Sequence, residues 1–402
     1  MSNSRTCLFL LALAFVSACS GDAVSPELSN TVSSPLGLPA VAGTLAPALP
    51  VSTVDALYTA INDPANAGKR IQLAKGTYIL DGTRANGGRL ELRKDMTLTG
   101  VSGHSDQVVI DASGLSAAAL TDAGQVTGAI RTGRGNNTVE WLSIVKTING
   151  AAGITTDLFL AGPTIISISH VTASGGIRGF DIRNVGAAAA GRVLEVNLRD
   201  NDLANNTLGG SQGLRIANLA GAKGARIHAS LSGNSSHGNI AGLIAANVSA
   251  DSATVDIESD RDHFDNNGNG AIILGGNATG SATIRGSLVR FSAFKSTFQH
   301  NTGTLPAVFP TRAGIASYGG VSTAADRAFN NRVELTLKNI GLGDNGGPEV
   351  RAWGAITTAS SPAGTGNVVS VVFNGNSKKL SIETIGSDPA EPAGTNKVTV
   401  QR

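Results

Sequence analysis

The chain has 402 residues, of which 15% are charged and 4% aromatic, with a formal net charge of +2. This balance excludes the basic footprint of a nucleic-acid-binding protein and a core built on aromatic rings. Glycine is abundant instead, at 51 residues, and suits many tight turns closing many short strands.

The chain opens on "MSNSRTCLFLLALAFVSAC", in which Arg5 is followed by an apolar run from Cys7 to Val16 and then by small residues. That is the make-up of a secretory signal, too short to span a bilayer stably. Val16, Ser17, Ala18 and Cys19 resemble the lipobox of bacterial lipoproteins, which implies cleavage after Ala18 and acylation of the Cys19 thiol; an ordinary signal cut near Ala18 is the alternative. Cys7 and Cys19 are the only cysteines, so the mature exported chain has no internal disulfide and Cys19 is either lipidated or a free thiol. Ser20 in the next position, rather than Asp, is similar to outer-membrane sorting signals. The stretch from Ser20 to Pro50 is rich in Ser, Ala, Gly and Pro and reads as a tether. The expected organisation is a signal at 1–18, a lipidated cysteine and tether at 19–50, and one folded domain at 51–402.

Within 51–402 a repeat emerges. Short β-type segments such as "NTVEWLSI", "RVLEVNLR", "ARIHASLS", "ATVDIESD", "ATIRGSLV" and "NRVELTLK" align on Val139, Ile166, Leu194, Ile227, Val255, Ile284, Val333, Val369 and Val398 as inward positions. Their spacings are 27, 28, 33, 28, 29, 49, 36 and 29 residues, a fixed coil with loops inserted at tolerated corners. Alternation of Val333, Leu335 and Leu337 with Glu334, Thr336 and Lys338 is the period of a half-buried strand. Second strands follow as "GLRIANL", "GLIAAN", "AIILGGN" and "GIASYGG". Two or three short strands per coil with Gly and Asn corners predict a right-handed parallel β-helix of about ten or eleven coils. Asn206, Asn239, Asn267 and Asn345 fall into one register, and Asn201, Asn234 and Asp262 into another; both read as side-chain ladders that satisfy the backbone at buried bends.

The entrance "VDALYTAINDPANAGKRIQLAKGTYILDG" and the following "MTLTGVSGHSDQVVIDASG" resemble the first coils of pectin-lyase-like right-handed β-helix proteins. The resemblance implies a short helix through Val54, Leu57, Tyr58 and Ile61 capping the barrel, and a first coil through Ile71, Leu73, Gly76, Thr77 and Tyr78. Many such proteins cleave acidic polysaccharides, but their catalytic signatures are not found here. Ser236-His237-Gly238 and Arg215-Ile216-Ala217 are the nearest approaches to the polygalacturonase set, and the pectate lyase Trp-Ile-Asp-His segment is absent.

Two places offer chemistry. The run "DRDHFDNNGNGAIILGGN" supplies Asp260, Asp262 and Asp265, which read mainly as turn architecture, with a Ca²⁺ site or catalytic carboxylates as the alternatives. The enlarged coil "TGTLPAVFPTRAGIASYGGVSTAADRAFNN" and the next bring Arg312, Tyr318, Arg351 and Trp353 to comparable positions, the residue types that pair with carboxylates and stack on sugar faces. The bland alternative has those rings packing over the coil below. The expectation is a lipid-anchored envelope protein that binds an extended polymer, which this residue chemistry reads as a polysaccharide, with no resident cofactor and no nucleic acid. A polysaccharide lyase or glycoside hydrolase is the competing class, and a structural or adhesion protein the third.

Overall fold

The computed structural model describes residues 48–116, 121–122, 125–146, 151–156, 164–206, 211–303, 312–322, 327–357, 364–375, 380–388 and 396–402. The expected signal, Cys19 and most of the expected tether lie outside the described residues. One compact unit spans Pro47–Arg402. It is an all-β solenoid, a right-handed parallel β-helix, with the single-helix cap expected from the sequence.

Helix α1, Val54–Asn62, starts where the Thr53 hydroxyl accepts from Ala56 N at 3.2 Å. Leu57, Tyr58, Ala60 and Ile61 are its buried side. The Tyr58 hydroxyl donates to Gly88 O at 2.8 Å, and Tyr78 donates to Val51 O and Ala74 O, both at 2.9 Å. The Tyr58 bond ties the helix to the next turn, and the Tyr78 bonds hold the end of the entrance strand Ala48–Val51 where it pairs with Arg70–Leu73.

Each complete coil has three faces. The first carries twelve stacked parallel strands from Ala48–Val51 to Lys397–Gln401, and the third carries ten from Leu90–Glu91 to Ile382–Asp388. Between them lies a short second face, with segments such as Asp202–Ala204, Ser235–His237 and Thr297–Gln299. The first-face count exceeds the ten or eleven coils expected because a strand precedes the helix.

The inward column of the first face runs Leu194, Ile227, Val255, Val289, Val333, Val369, Val398. Each fully buried member contributes roughly 1.5–3 kcal/mol. Ile284 was expected in this column, and the register corrects that. Ile284 instead pairs with Ala328 in the turn before the first face, and the strand proper is Leu288–Phe294. The two earliest members are also offset, Ile166 by one inward position and Val139 by two, since Ile166 faces Val196 and Val139 faces Ile168, itself opposite Leu198.

Both expected ladders exist. Asn201 Nδ2 donates to Asn234 Oδ1 at 2.8 Å, and Asn234 Nδ2 to Asp262 Oδ1 at 2.8 Å. At the second corner Asn206 donates to Asn239 at 3.1 Å and Asn239 to Asn267 at 3.2 Å. Asn301, missed because of the Ile284 register, continues that ladder: its Oδ1 accepts from Asn267 N at 2.9 Å, and its own N donates to Asn345 Oδ1 at 3.0 Å. Two more ladders bracket the turn from the third face back to the first, through Asn184, Asn218 and Asn247 and through Asn331, Asn367 and Asn396. The residue before a ladder position commonly has positive φ, as in Asp200, Asn205, Gly233, Gly238, Asn266, His300, Asn330 and Asp344. A left-handed residue turns the chain, and the next side chain reaches back to hold the turn.

Candidate functional site

The cluster expected at Arg312, Tyr318, Arg351 and Trp353 is brought together only in part, and it is not an exposed surface. Tyr318 and Trp353 are register partners on the outward side of the third face, 0% and 5% exposed, with rings edge-to-face at 5.9 Å. Arg351 is buried beside Trp353 and donates to both Glu383 oxygens at 3.2 Å, while Trp353 Nε1 donates to Glu383 Oε1 at 3.0 Å. Burial pushes the Tyr318 hydroxyl pKa up. Arg312 alone is exposed, in a left-handed conformation with φ of 76°. The bland alternative, rings packed into the protein, is the one realised. The strand sequences carry the reason: "IASYGGVS" and "VRAWGAIT" lack alternation, as strands buried on both sides do.

The aspartates of the acidic corner do not converge on a common point. Asp262 is fully buried in its ladder, where Ser259 Oγ donates to Oδ2 at 2.6 Å and Asn234 N to Oδ1 at 2.7 Å. Burial pushes its pKa up to about 6, against those hydrogen bonds. Asp260 pairs with Arg261 at 3.0 Å. Asp265 accepts from Thr297 Oγ1 at 2.5 Å and Gln299 N at 2.6 Å. Among the described residues no group of three or more His, Cys, Asp or Glu is placed to hold a metal ion.

Exposed chemistry lies instead on the first and second faces. One outward row of the first face reads Glu195, His228, Asp256, Arg290, Glu334, and its neighbour Ser167, Asn197, Ser230, Glu258, Ser292, Thr336. Arg290 Nε lies 2.9 Å from Glu334 Oε2, and Arg332 Nε 2.8 Å from Glu334 Oε1. On the second face His237 Nε2 lies 3.0 Å from Asp202 Oδ1, and His263 Nδ1 lies 2.9 Å from Thr297 Oγ1 and 3.7 Å from Asp265 Oδ2. At the corner between these faces the Trp141 and His170 rings stack at 3.7 Å, and farther along Lys295 and Lys338 approach the Phe294 ring at 4.8 and 5.5 Å. Rings and cations therefore do occur together near the surface, but on a different edge of the solenoid from the one the insertions indicated.

The third face holds a buried ionic cluster that sequence reasoning missed. Asp181, 0% exposed, accepts from Arg215 Nε and Nη2 at 2.7 Å and from Arg183 Nη1 at 3.1 Å, with Arg178 Nη1 at 3.6 Å. Burial alone would raise its pKa; Arg215, Arg183 and Arg178 outweigh that and hold it well below the usual carboxylate range. The Arg178 guanidinium is pushed down to about 9 by burial and by the neighbouring arginines. Three coils earlier Glu91 sits in the same outward row, within 3.4 Å of Arg89, Arg131 and Arg134. These groups brace the coils to one another.

No family model matches the chain, and no curated protein sequence matches it. Among solved structures, the A-module of a mannuronan C-5 epimerase from Azotobacter vinelandii is similar at 16% identity and a TM-score of 0.47, covering 87% of this chain and 93% of that one. A surface adhesin of Streptococcus pneumoniae gives 10% identity and a TM-score of 0.36, covering 83% and 84%. A PL6 family alginate lyase gives 14% and 0.33, covering 84% of this chain and 53% of its own. At these scores no residue of those proteins is matched to one here, and the right-handed β-helix stands on this chain's own strand register.

Proposed function

We propose that the protein binds an extended polysaccharide along the outward surfaces of its first and second faces. The observation that carries this reading is the registered pair of outward rows, carboxylates, guanidinium and imidazole in one, hydroxyls with the Asn197 amide and the Glu258 carboxylate in the other. Successive rungs of a parallel sheet lie about 4.8 Å apart, so the seven from Asn137–Val145 to Arg332–Lys338 present polar groups over roughly 29 Å. A rigid, periodic surface of that length fits a linear polymer better than a compact ligand. On an immobilised panel of neutral and acidic glycans, at least one linear polysaccharide is expected to be retained, with affinity rising with oligosaccharide length. Retention of none, or affinity that is flat beyond a disaccharide, refutes the reading.

Cleavage of the bound chain is a second reading, favoured by the His237–Asp202 contact at 3.0 Å, since a carboxylate that orients an imidazole makes it a better acid–base group. New reducing ends released from the same panel would identify it. We further propose that the chain is exported and anchored by a lipid on Cys19. Mass spectrometry of the mature amino terminus is expected to find an acylated Cys19, and an unmodified start elsewhere rules the anchor out.

A further inference from the structure

We infer that the corner between the first and second faces is the contact ridge for the polymer, and that the ligand class is a carboxylated polysaccharide held at Phe294, Lys295 and Lys338. This inference rests on the polymer-binding reading and narrows it.

One corner residue per coil adopts the left-handed conformation. In chain order these are Trp141, His170, Asp200, Gly233, Arg261, Lys295, Asn339 and Gly375, all with φ between 52° and 73°. Backbone bonds confirm the alignment from rung to rung, Asp200 N to Ser232 O, Gly233 N to Asp260 O, Arg261 N to Phe294 O and Lys295 N to Lys338 O. Glycine adopts this conformation without strain, and Asn, Asp and His tolerate it; Trp, Arg and Lys do so rarely. The second corner makes the contrast. Its left-handed residues are Lys146, Gly175, Asn205, Gly238, Asn266, His300 and Asp344, tolerant types apart from Lys146, which is held by Asp111 at 2.7 Å.

The first corner thus keeps bulky side chains where Gly233 and Gly375 show that the fold does not need them. Backbone strain of this kind points to a role for the side chain. Arg261 is explained by its pairing with Asp260 at 3.0 Å, and Trp141 by its stack on His170. Lys295 has a ring contact but no carboxylate partner. It is exposed, and like Lys338 on the next rung it forms no ion pair among the described residues.

What Lys295 and Lys338 share is Phe294. The ring projects outward, half-buried, with the two ammonium groups 4.8 and 5.5 Å from its centroid. The exposed Ser292 and Thr336 lie two positions along the same strands. The ring holds the two ammonium groups at the corner with no carboxylate partner among the described residues, so they take the carboxylate of a sugar, and the hydroxyls meet the sugar hydroxyls. A neutral glycan would leave both cations unused.

The test uses the full chain, oligouronates of defined length, and the same oligosaccharides after reduction of their carboxyl groups. Wild-type protein is expected to bind the oligouronate at least tenfold more tightly than the reduced form, with affinity falling as salt rises. The Lys295→Gly/Lys338→Gln double variant is expected to lose at least tenfold in oligouronate affinity. Because glycine relieves the left-handed strain, Lys295→Gly alone is expected to melt no lower than wild type, so lost binding is not lost folding. Equal binding by the double variant, or equal binding of the reduced chains, overturns the inference. If wild type retains other glycans but no uronate, this inference fails and polymer binding stands; if it retains none, both fail.

Discussion

Replacing Asp181 by Ala is expected to destabilise the protein by about 3–5 kcal/mol, because it leaves Arg178, Arg183 and Arg215 buried around a missing carboxylate. The loss is read as a lower urea midpoint. Adding Arg215→Met to Asp181→Ala is expected to recover part of it, since an apolar side chain in place of a buried charge is often neutral or better. A loss under about 1 kcal/mol, within the range of an exposed ion pair, would show that the cluster is not a brace. The pH signature follows from the depressed folded-state pKa. Asp181 contributes its full stability above the ordinary carboxylate value of 3.8 and loses it as the pH falls below that value.

Asp262 has the opposite sign. Its folded-state pKa is raised from 3.8 to about 6 by burial, so the folded protein favours the protonated form. The contribution to stability is complete below about pH 4 and is lost as the pH rises through about 6, a difference of about 3 kcal/mol. Asp262→Asn is expected to remove that dependence and to raise stability at pH 7.5 by up to about 3 kcal/mol. An amide keeps the ladder, as Asn201 shows by accepting and donating from the same column and bonding Ile168 O at 2.9 Å. Urea titrations of both proteins at pH 4.5 and 7.5 check this. Equal gaps between the two proteins at both pH values would mean that Asp262 carries its charge in the ladder without cost.

The fold was legible because a solenoid writes its core into the sequence as a column. Val333, Leu335 and Leu337 alternate with exposed residues, and Asn206, Asn239 and Asn267 recur at the spacing of the coil. Legibility failed where loops changed that spacing. The insertion before Leu288 moved the strand away from Ile284, and Asn301 was lost with it. A local rule would have recovered it, because His300-Asn301 repeats the pattern of Asp200-Asn201 and Asn266-Asn267, a left-handed residue followed by a ladder amide.

The candidate site was less legible for a different reason. Arginine beside an aromatic residue has the same composition whether it faces solvent or a buried carboxylate, and only the lack of alternation around Tyr318 and Trp353 marked the buried case. The ridge at Lys295 was invisible to composition. Phe294, Lys295 and Lys338 converge only once two coils are stacked in register, across forty-odd residues of chain.

Stacking also decides how the molecule carries force. The hydrogen bonds joining its rungs run along the long axis, so tension from one end to the other loads the rungs in series and the weakest yields first. A force spread across several rungs is shared among them. At the amino-terminal end the first rung in line is Ala48–Val51, held to Arg70–Leu73 and locked by the Tyr78 hydroxyl on Val51 O. Tyr78 thus acts as a latch on the end that a tether would pull, guarding the first rung to take the load.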